Sequence, residues 1–205
     1  MERIGTAVLI SGRGSNLAAL LRAAEAADYP ARIVLVASDR AEAAGLALAV
    51  AAGVPTRVVR RLAELEPLLA EAAVSLVCLA GFMRVLPATL VERWQGRMLN
   101  IHPSLLPAFR GLDTHARALA AGVRLSGCSV HFVTAAVDGG PIVGQAAVPV
   151  RPDDDEASLA ARVLAAEHEL YPRCLALVAG GAVRWDGRTL HWGAVPAEGR
   201  LVNPA

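Results

Sequence analysis

Apolar positions fall into two rhythms along the first half of this chain. "IGTAVLI" (4–10) is an almost continuous apolar run, the pattern of a buried strand. In "NLAALLRAAEAA" (16–27), Leu17, Leu20, Leu21 and Ala24 recur at helical spacing. "ARIVLVAS" (31–38) predicts a second strand, 41–52 an Ala-rich helix closed by Gly53, 56–59 a short strand and 62–72 a helix. "VSLVCLA" (74–80), a helix over 88–95 and the strand "RMLNIH" (97–102) continue the alternation. Strand and helix in turn imply a parallel sheet covered on both faces.

After a helix over 113–121 the rhythm changes. "CSVHFV" (128–133) and "IVGQAAVPV" (142–150) read as strands joined by a short loop holding Asp138, Gly139 and Gly140, an antiparallel extension of the sheet. A long helix is expected over 156–179, bent near Pro172. A hairpin over 182–192 turns at Asp186-Gly187, and 194–205 is a loose tail. The class is therefore α/β, with 1–205 a single domain.

Composition narrows the chemistry. The net charge of +1 argues against nucleic acid and membrane surfaces as partners. No apolar run reaches the roughly 18 residues of a membrane span. All twenty basic residues are Arg, so a Lys Schiff base and a P-loop with its Lys are excluded. Cys78, Cys128 and Cys174 are far apart and odd in number, which fits neither a zinc site nor a disulfide framework. With no secretion signal, a reduced cytoplasmic setting is expected.

Four places could carry chemistry. "SGRGSN" (11–16) lies between a strand and a helix, where free amides bind phosphate; a plain turn capped by Ser15 or Asn16 is the alternative. Asn100 and His102 share one side of a strand end, where they could hold a carbonyl oxygen and supply a proton. A turn-capping Asn in a surface loop is the alternative there. Asp138-Gly139-Gly140 reads alone as a turn, yet its carboxylate could reach His102 and favour the imidazolium form. Glu167 lies in line with Leu159, Val163 and Leu170 on an apolar helical stripe. A carboxylate there is costly unless it reaches water at the stripe's edge, the expected case, or meets a cation. No two of the remaining histidines, His115, His131, His168 and His191, have metal-ligand spacing, and no metal is expected.

Five segments, "LISGRGSNL", "LAGFMRVL", "LNIHPSLLPAFRGLDTH", "SVHFVTAAVDGGPIVGQ" and "EHELYP", closely resemble the folate-dependent formyltransferases. The Asn100-to-Pro107 segment and the later Asp-Gly-Gly are shared with methionyl-tRNA formyltransferases and formyltetrahydrofolate deformylases. The "SGRGSN" loop and the length favour the phosphoribosylglycinamide branch. The resemblance implies a Rossmann-like formyltransferase fold and a reaction between 10-formyltetrahydrofolate and glycinamide ribonucleotide, without metal. It implies that Gly14, Ser15 and Asn16 hold the substrate phosphate and that Glu167 faces the ribonucleotide. Met83, Arg84, Val85 and Leu86 would line the folate pocket, with Thr134, Ala135, Ala136, Val137 and Asp138 closing its other side. Asn100, His102 and Asp138 would be the catalytic trio. The arginine for the folate tail is placed at Arg61, with Arg60 beside it; Arg110 and Asp113 receive no role. Two rivals stand beside this reading. A nicotinamide-dependent oxidoreductase is suggested by Asp39 after the second strand, but Leu17 occupies the third Gly position of its fingerprint. A non-catalytic nucleotide- or folate-binding module is the other.

Overall fold

The structure, a computed structural model, describes residues 2–193; the tail expected over 194–205 lies outside them. Strands β1 (Ile4–Ile10), β2 (Ala31–Ser38), β3 (Thr56–Val58), β4 (Leu76–Leu79) and β5 (Met98–His102) form a parallel sheet. β6 (Leu125–Phe132) adds antiparallel to β5, and β7 (Ile142–Pro149) antiparallel to β6. The order is β3-β2-β1-β4-β5-β6-β7. A separate hairpin of β8 (Val183–Trp185) and β9 (Leu190–Trp192) turns where Asp186 accepts from the amides of Arg188 and Thr189.

Helices α1 (Ser15–Glu25), α2 (Ala44–Ala51), α3 (Leu65–Glu71), α4 (Ala88–Arg93), α5 (Thr114–Ala120) and α6 (Glu156–Ala179) cover both faces. Successive strand residues point to opposite sides, which explains the unbroken apolar runs. Val8 and Ile10 pack in one layer with Leu17 and Leu20 of α1 and Leu159 and Val163 of α6. Ala7 and Leu9 pack in the other with Leu65 and Leu69 of α3 and Leu90 and Val91 of α4.

Several boundaries differ from the apolar pattern. The strand expected from residue 128 begins at Leu125, because Ser126 and Gly127 pair with Val148 and Ala147 without supplying an apolar signal. Gly127 is required there: a Cβ would come within 2.0 Å of the Ala146 carbonyl oxygen. The helix expected over 62–72 opens as a 3₁₀ turn, Leu62–Glu64. Neither Ser15 nor Asn16 caps α1; its N-cap is Gly14, in the left-handed region with φ 77° and no side-chain cap. Pro172 lies inside α6, which continues on both sides of it.

Tyr171, on α6, is fully buried, and its hydroxyl lies 3.1 Å from the carbonyl oxygens of both Leu79, the last residue of β4, and Leu99, early in the neighbouring β5. Tyr171→Phe leaves both carbonyls without this donor. A loss of about 1–3 kcal/mol is expected, read as a lowered urea midpoint with an unchanged slope.

The chain runs from β1 outward through β2 and β3, then returns to place β4 on the other side of β1. Such a reversal opens a crevice at the carboxyl ends of the strands. Met83 N donates to Ser11 Oγ at 2.9 Å, tying the loop after β4 to the loop after β1 at that crevice.

Candidate active site

A cavity of about 560 Å³ opens at the carboxyl ends of β4 and β5. Small-molecule sites run from roughly 300 to 1,000 Å³. One wall is the loop after β4, with Met83, Arg84, Val85 and Leu86; another is the β6–β7 connection, with Thr134, Ala135, Ala136, Val137 and Asp138. Asn100 and His102 lie at the base, Asn16 and Glu167 at a further side. Met83, Val85, Leu112 and Val137 are exposed apolar side chains among its lining residues.

Asn100 and His102 fall two residues apart on β5 and so share a face. His102 is buried, with Nε2 2.9 Å from the Phe109 carbonyl oxygen, so that nitrogen donates. Its Nδ1 lies 3.4 Å from Asp138 Oδ2. The sequence reading aims a His102 donor at a substrate oxygen; here both ring nitrogens already face protein acceptors. Asp138 Oδ2 also accepts from Gly111 N at 2.9 Å. Burial by itself would raise the Asp138 carboxyl. The His131 ring, the Gly111 N–H and the charge of His102 outweigh it and hold Asp138 below the ordinary carboxylate range.

The loop that carries Asp138 is shaped by close approaches. Asp138 has φ 50°, a left-handed conformation that Asp tolerates better than most residues. A Cβ on Gly140 would lie 1.8 Å from the Phe132 carbonyl oxygen, so only Gly lets the chain fold back here. The strand after it returns to the sheet from that point. Phe109 and Asp113, at φ 52° and 55°, are left-handed too, in the segment facing Asp138.

Glu167 is 6% exposed, so it does not reach water at the edge of its stripe, and the partner it meets is an amide rather than a cation. Asn16 Nδ2 donates to Glu167 Oε2 at 2.7 Å, joining α1 to α6. Burial pushes the Glu167 carboxyl up to about 6, against the lowering effect of that hydrogen bond. Asn16 Oδ1 is buried and has no partner among the described residues. A buried acceptor left over beside a carboxylate is a place for a ligand's N–H or O–H.

Other expected residues lie elsewhere. Gly14 and Ser15 do not line the cavity; Asn16, next along α1, does. The side chain of Arg61 is 82% exposed and pairs with Glu64 at 2.6 Å, an i,i+3 bond on the surface, and Arg61 is not brought to the cavity. Nor is Arg60, whose carbonyl accepts from the Arg84 guanidinium. His131 was passed over and is central: it stands directly opposite Asn100 in the β5–β6 register. Its signal was present, since Ser129 and His131 interrupt an apolar strand with the same i, i+2 spacing as Asn100 and His102. Ser129, opposite His102, accepts from Leu106 N and donates to the Ser104 carbonyl, fixing the segment that leaves β5. Among the described residues, no group of three or more His, Cys, Asp or Glu is placed to hold a metal, and no helix is long and apolar enough to cross a membrane.

Residues 4–175 match the model of the formyl transferase family. The chain is 48% identical over 192 residues to the trifunctional purine biosynthetic protein adenosine-3 of Bos taurus, covering 89% of this chain but 19% of that protein. It is 41% identical to the phosphoribosylglycinamide formyltransferase of Escherichia coli (strain K12), over 96% of this chain and 95% of that one. The crystal structure of phosphoribosylglycinamide formyltransferase from Anaplasma phagocytophilum superposes with a TM-score of 0.89 at 44% identity, covering 96% and 97% of the two chains.

Proposed function

This chain belongs to the formyl transferase family, and on that premise we propose that it carries the formyl group of 10-formyltetrahydrofolate to the primary amine of glycinamide ribonucleotide. The observation that carries the reading is a single cavity with two unlike ends. Asn100, His102 and Asp138 cluster at one side, and the Asn16–Glu167 pair stands at another. The exposed apolar side chains Met83, Val85 and Val137 suit the flat rings of the folate, and the free amides opening α1 suit the substrate phosphate. Residues 1–205 then act as one catalytic domain in the cytoplasm.

The amine attacks the formyl carbon, forming the new C–N bond and a tetrahedral centre with a negative oxygen. Collapse breaks the bond to N10 of the folate, which takes up a proton as the amine gives one up. Asn100 Nδ2 supplies an N–H to the oxygen, an interaction whose removal typically costs about 10²–10³ in rate. His102 contributes as an imidazolium held beside Asp138. A substrate oxygen that is to take its Nε2 proton must displace the Phe109 carbonyl. Asp138 balances the imidazolium and lies where it can take part in moving the proton.

Mixing the protein with 10-formyltetrahydrofolate and glycinamide ribonucleotide, with folate absorbance followed over time, tests this. Amine-dependent loss of the formyl-folate is expected. Nicotinamide binding without turnover favours the oxidoreductase, and folate binding without transfer favours the binding module.

Glu167 makes the reading pH-dependent. Its folded-state value, about 6, lies above the ordinary carboxyl value of 4.5. Between the two the folded state holds more protons than the unfolded one, so stability falls as pH rises through that window and levels off above it. The cost of holding the charge is about 2 kcal/mol, from the size of the shift. Ribonucleotide affinity runs the other way, because the carboxylate is the form that accepts from substrate N–H or O–H groups. Calorimetric titrations from pH 5 to 8 should show affinity rising through about 6. Glu167→Gln should flatten that rise without loss of melting temperature above it.

A further inference from the structure

An amide such as Asn100 can offer a substrate oxygen either N–H or C=O, and only one of the two stabilises negative charge. We propose that His131 is the positioning residue that decides which, by holding Asn100 Nδ2 through an unprotonated Nε2. This deepens the formyl-transfer reading above and rests on it.

The hydrogen bonds fix the sense of each group. His131 lies on β6 directly opposite Asn100 and is 2% exposed. Its Nδ1 is 2.9 Å from the Phe132 carbonyl oxygen. A carbonyl only accepts, so Nδ1 carries a proton. Its Nε2 is 3.2 Å from Asn100 Nδ2, which only donates. That contact is attractive when Nε2 keeps its lone pair, and places two donors face to face when Nε2 is protonated. The charged neighbour is Asp138, with Oδ1 3.6 Å from Nε2, beyond ordinary hydrogen-bond reach. His102 faces the same carboxylate from β5. The lowering effect of the His131 ring on Asp138 needs an Nε2–H and lapses when Nε2 is bare; the Gly111 N–H and His102 then remain to hold Asp138 charged.

Neutral His131 with its proton on Nδ1 therefore takes one N–H of Asn100 and leaves the second in a fixed plane. A protonated Nε2 would turn to Asp138, and the Asn100 amide would rotate to present oxygen to the ring. A buried histidine that only fills space would not discriminate between these states; a phenyl ring fills nearly the same space and cannot accept at all.

Two measurements test this. Ring-nitrogen NMR of the parent protein, with His131 assigned by its loss in His131→Phe, should show a protonated Nδ1 and a bare Nε2 at neutral pH. An Nε2–H tautomer, or an imidazolium, overturns the proposal whether or not the protein transfers formyl groups. In steady-state assays, His131→Phe should lower kcat by about 10²-fold, the scale of one lost oxyanion donor. Its Michaelis constants should stay within about threefold of the parent's, since the interaction is made in the transition state. His131→Gln restores an acceptor and should recover at least about tenfold of the loss. In an Asn100→Ala background, His131→Phe should add little, because the two residues act as one unit. Additive losses, or a Gln variant no better than Phe, overturn it. A parent that shows the expected tautomer but transfers no formyl group locates the failure in the activity reading instead.

Discussion

Asp138→Asn is expected to lower turnover by about 10²-fold or more, the usual scale for lost electrostatic support in a buried site. Melting and folate binding should stay close to the parent's. The backbone reason is local: Asp138 sits at φ 50°, and Asn tolerates that region as well as Asp does. The amide oxygen of Asn can still accept from Gly111 N, so the link between the two loops survives. What disappears is the negative charge that faces both His102 and His131. Without it the imidazolium of His102 has no counter-charge. A second sign follows from linkage. A carboxyl held below its ordinary value adds stability that is present above its unfolded value and lost as pH falls through the folded one. The variant should therefore lose less stability than the parent on acidification below pH about 4. Paired pH–rate profiles and melting curves measure both effects. Parent-like turnover across the range would reduce Asp138 to a turn residue.

Asn16→Asp should raise the Michaelis constant for the ribonucleotide by about 10²-fold, with the folate constant little changed. The substitution replaces the Nδ2–H that meets Glu167 at 2.7 Å with a second carboxylate. Two carboxylates in such contact cannot both ionise readily, so one takes a proton. A lost hydrogen bond to a charged group is worth about 1.5–3 kcal/mol, which corresponds to the size of the expected effect. A negative charge near the start of α1 also repels the substrate phosphate. Asn16→Ser, which can still donate but is shorter, should fall between parent and Asp. Equal changes in both Michaelis constants would remove this residue from the ribonucleotide side of the cavity.

The strand–helix alternation was readable because the central strands, β1 and β4 above all, are buried on two faces and the helices on one. Val8 and Ile10 against Ala7 and Leu9 leave that trace directly. Ser126 and Gly127 hid the start of β6, because they join the sheet through backbone pairing and close approach. Asn100 and His102 were legible since both belong to one strand, where spacing fixes the face. His131 shows the same local spacing with Ser129, but its place opposite Asn100 depends on the register between strands, across 31 residues of sequence, which no local pattern carries. The same limit hid the partner of Glu167. Its place on the apolar stripe could be read, but the stripe alone pointed to an edge in water; the Asn16 amide that meets it in the interior lies 151 residues away. Arg61, placed at the folate tail by the resemblance alone, stands on the surface beside Glu64 and away from the cavity.

The Asn16–Glu167 bond spans 151 residues. On a ribosome adding roughly 5–20 residues per second, Asn16 waits on the order of ten seconds before its partner has even been synthesised. The side of the cavity built by this pair, the one proposed for the ribonucleotide, thus cannot exist on a nascent chain that has completed only β1 through β5, although Asn100 and His102 are already in place on its sequence. Any product of premature termination before α6 lacks the pair, and so cannot hold back substrate from finished copies through it. Closure of that side of the cavity reports that synthesis has passed Glu167, with α1 and α6 brought together there.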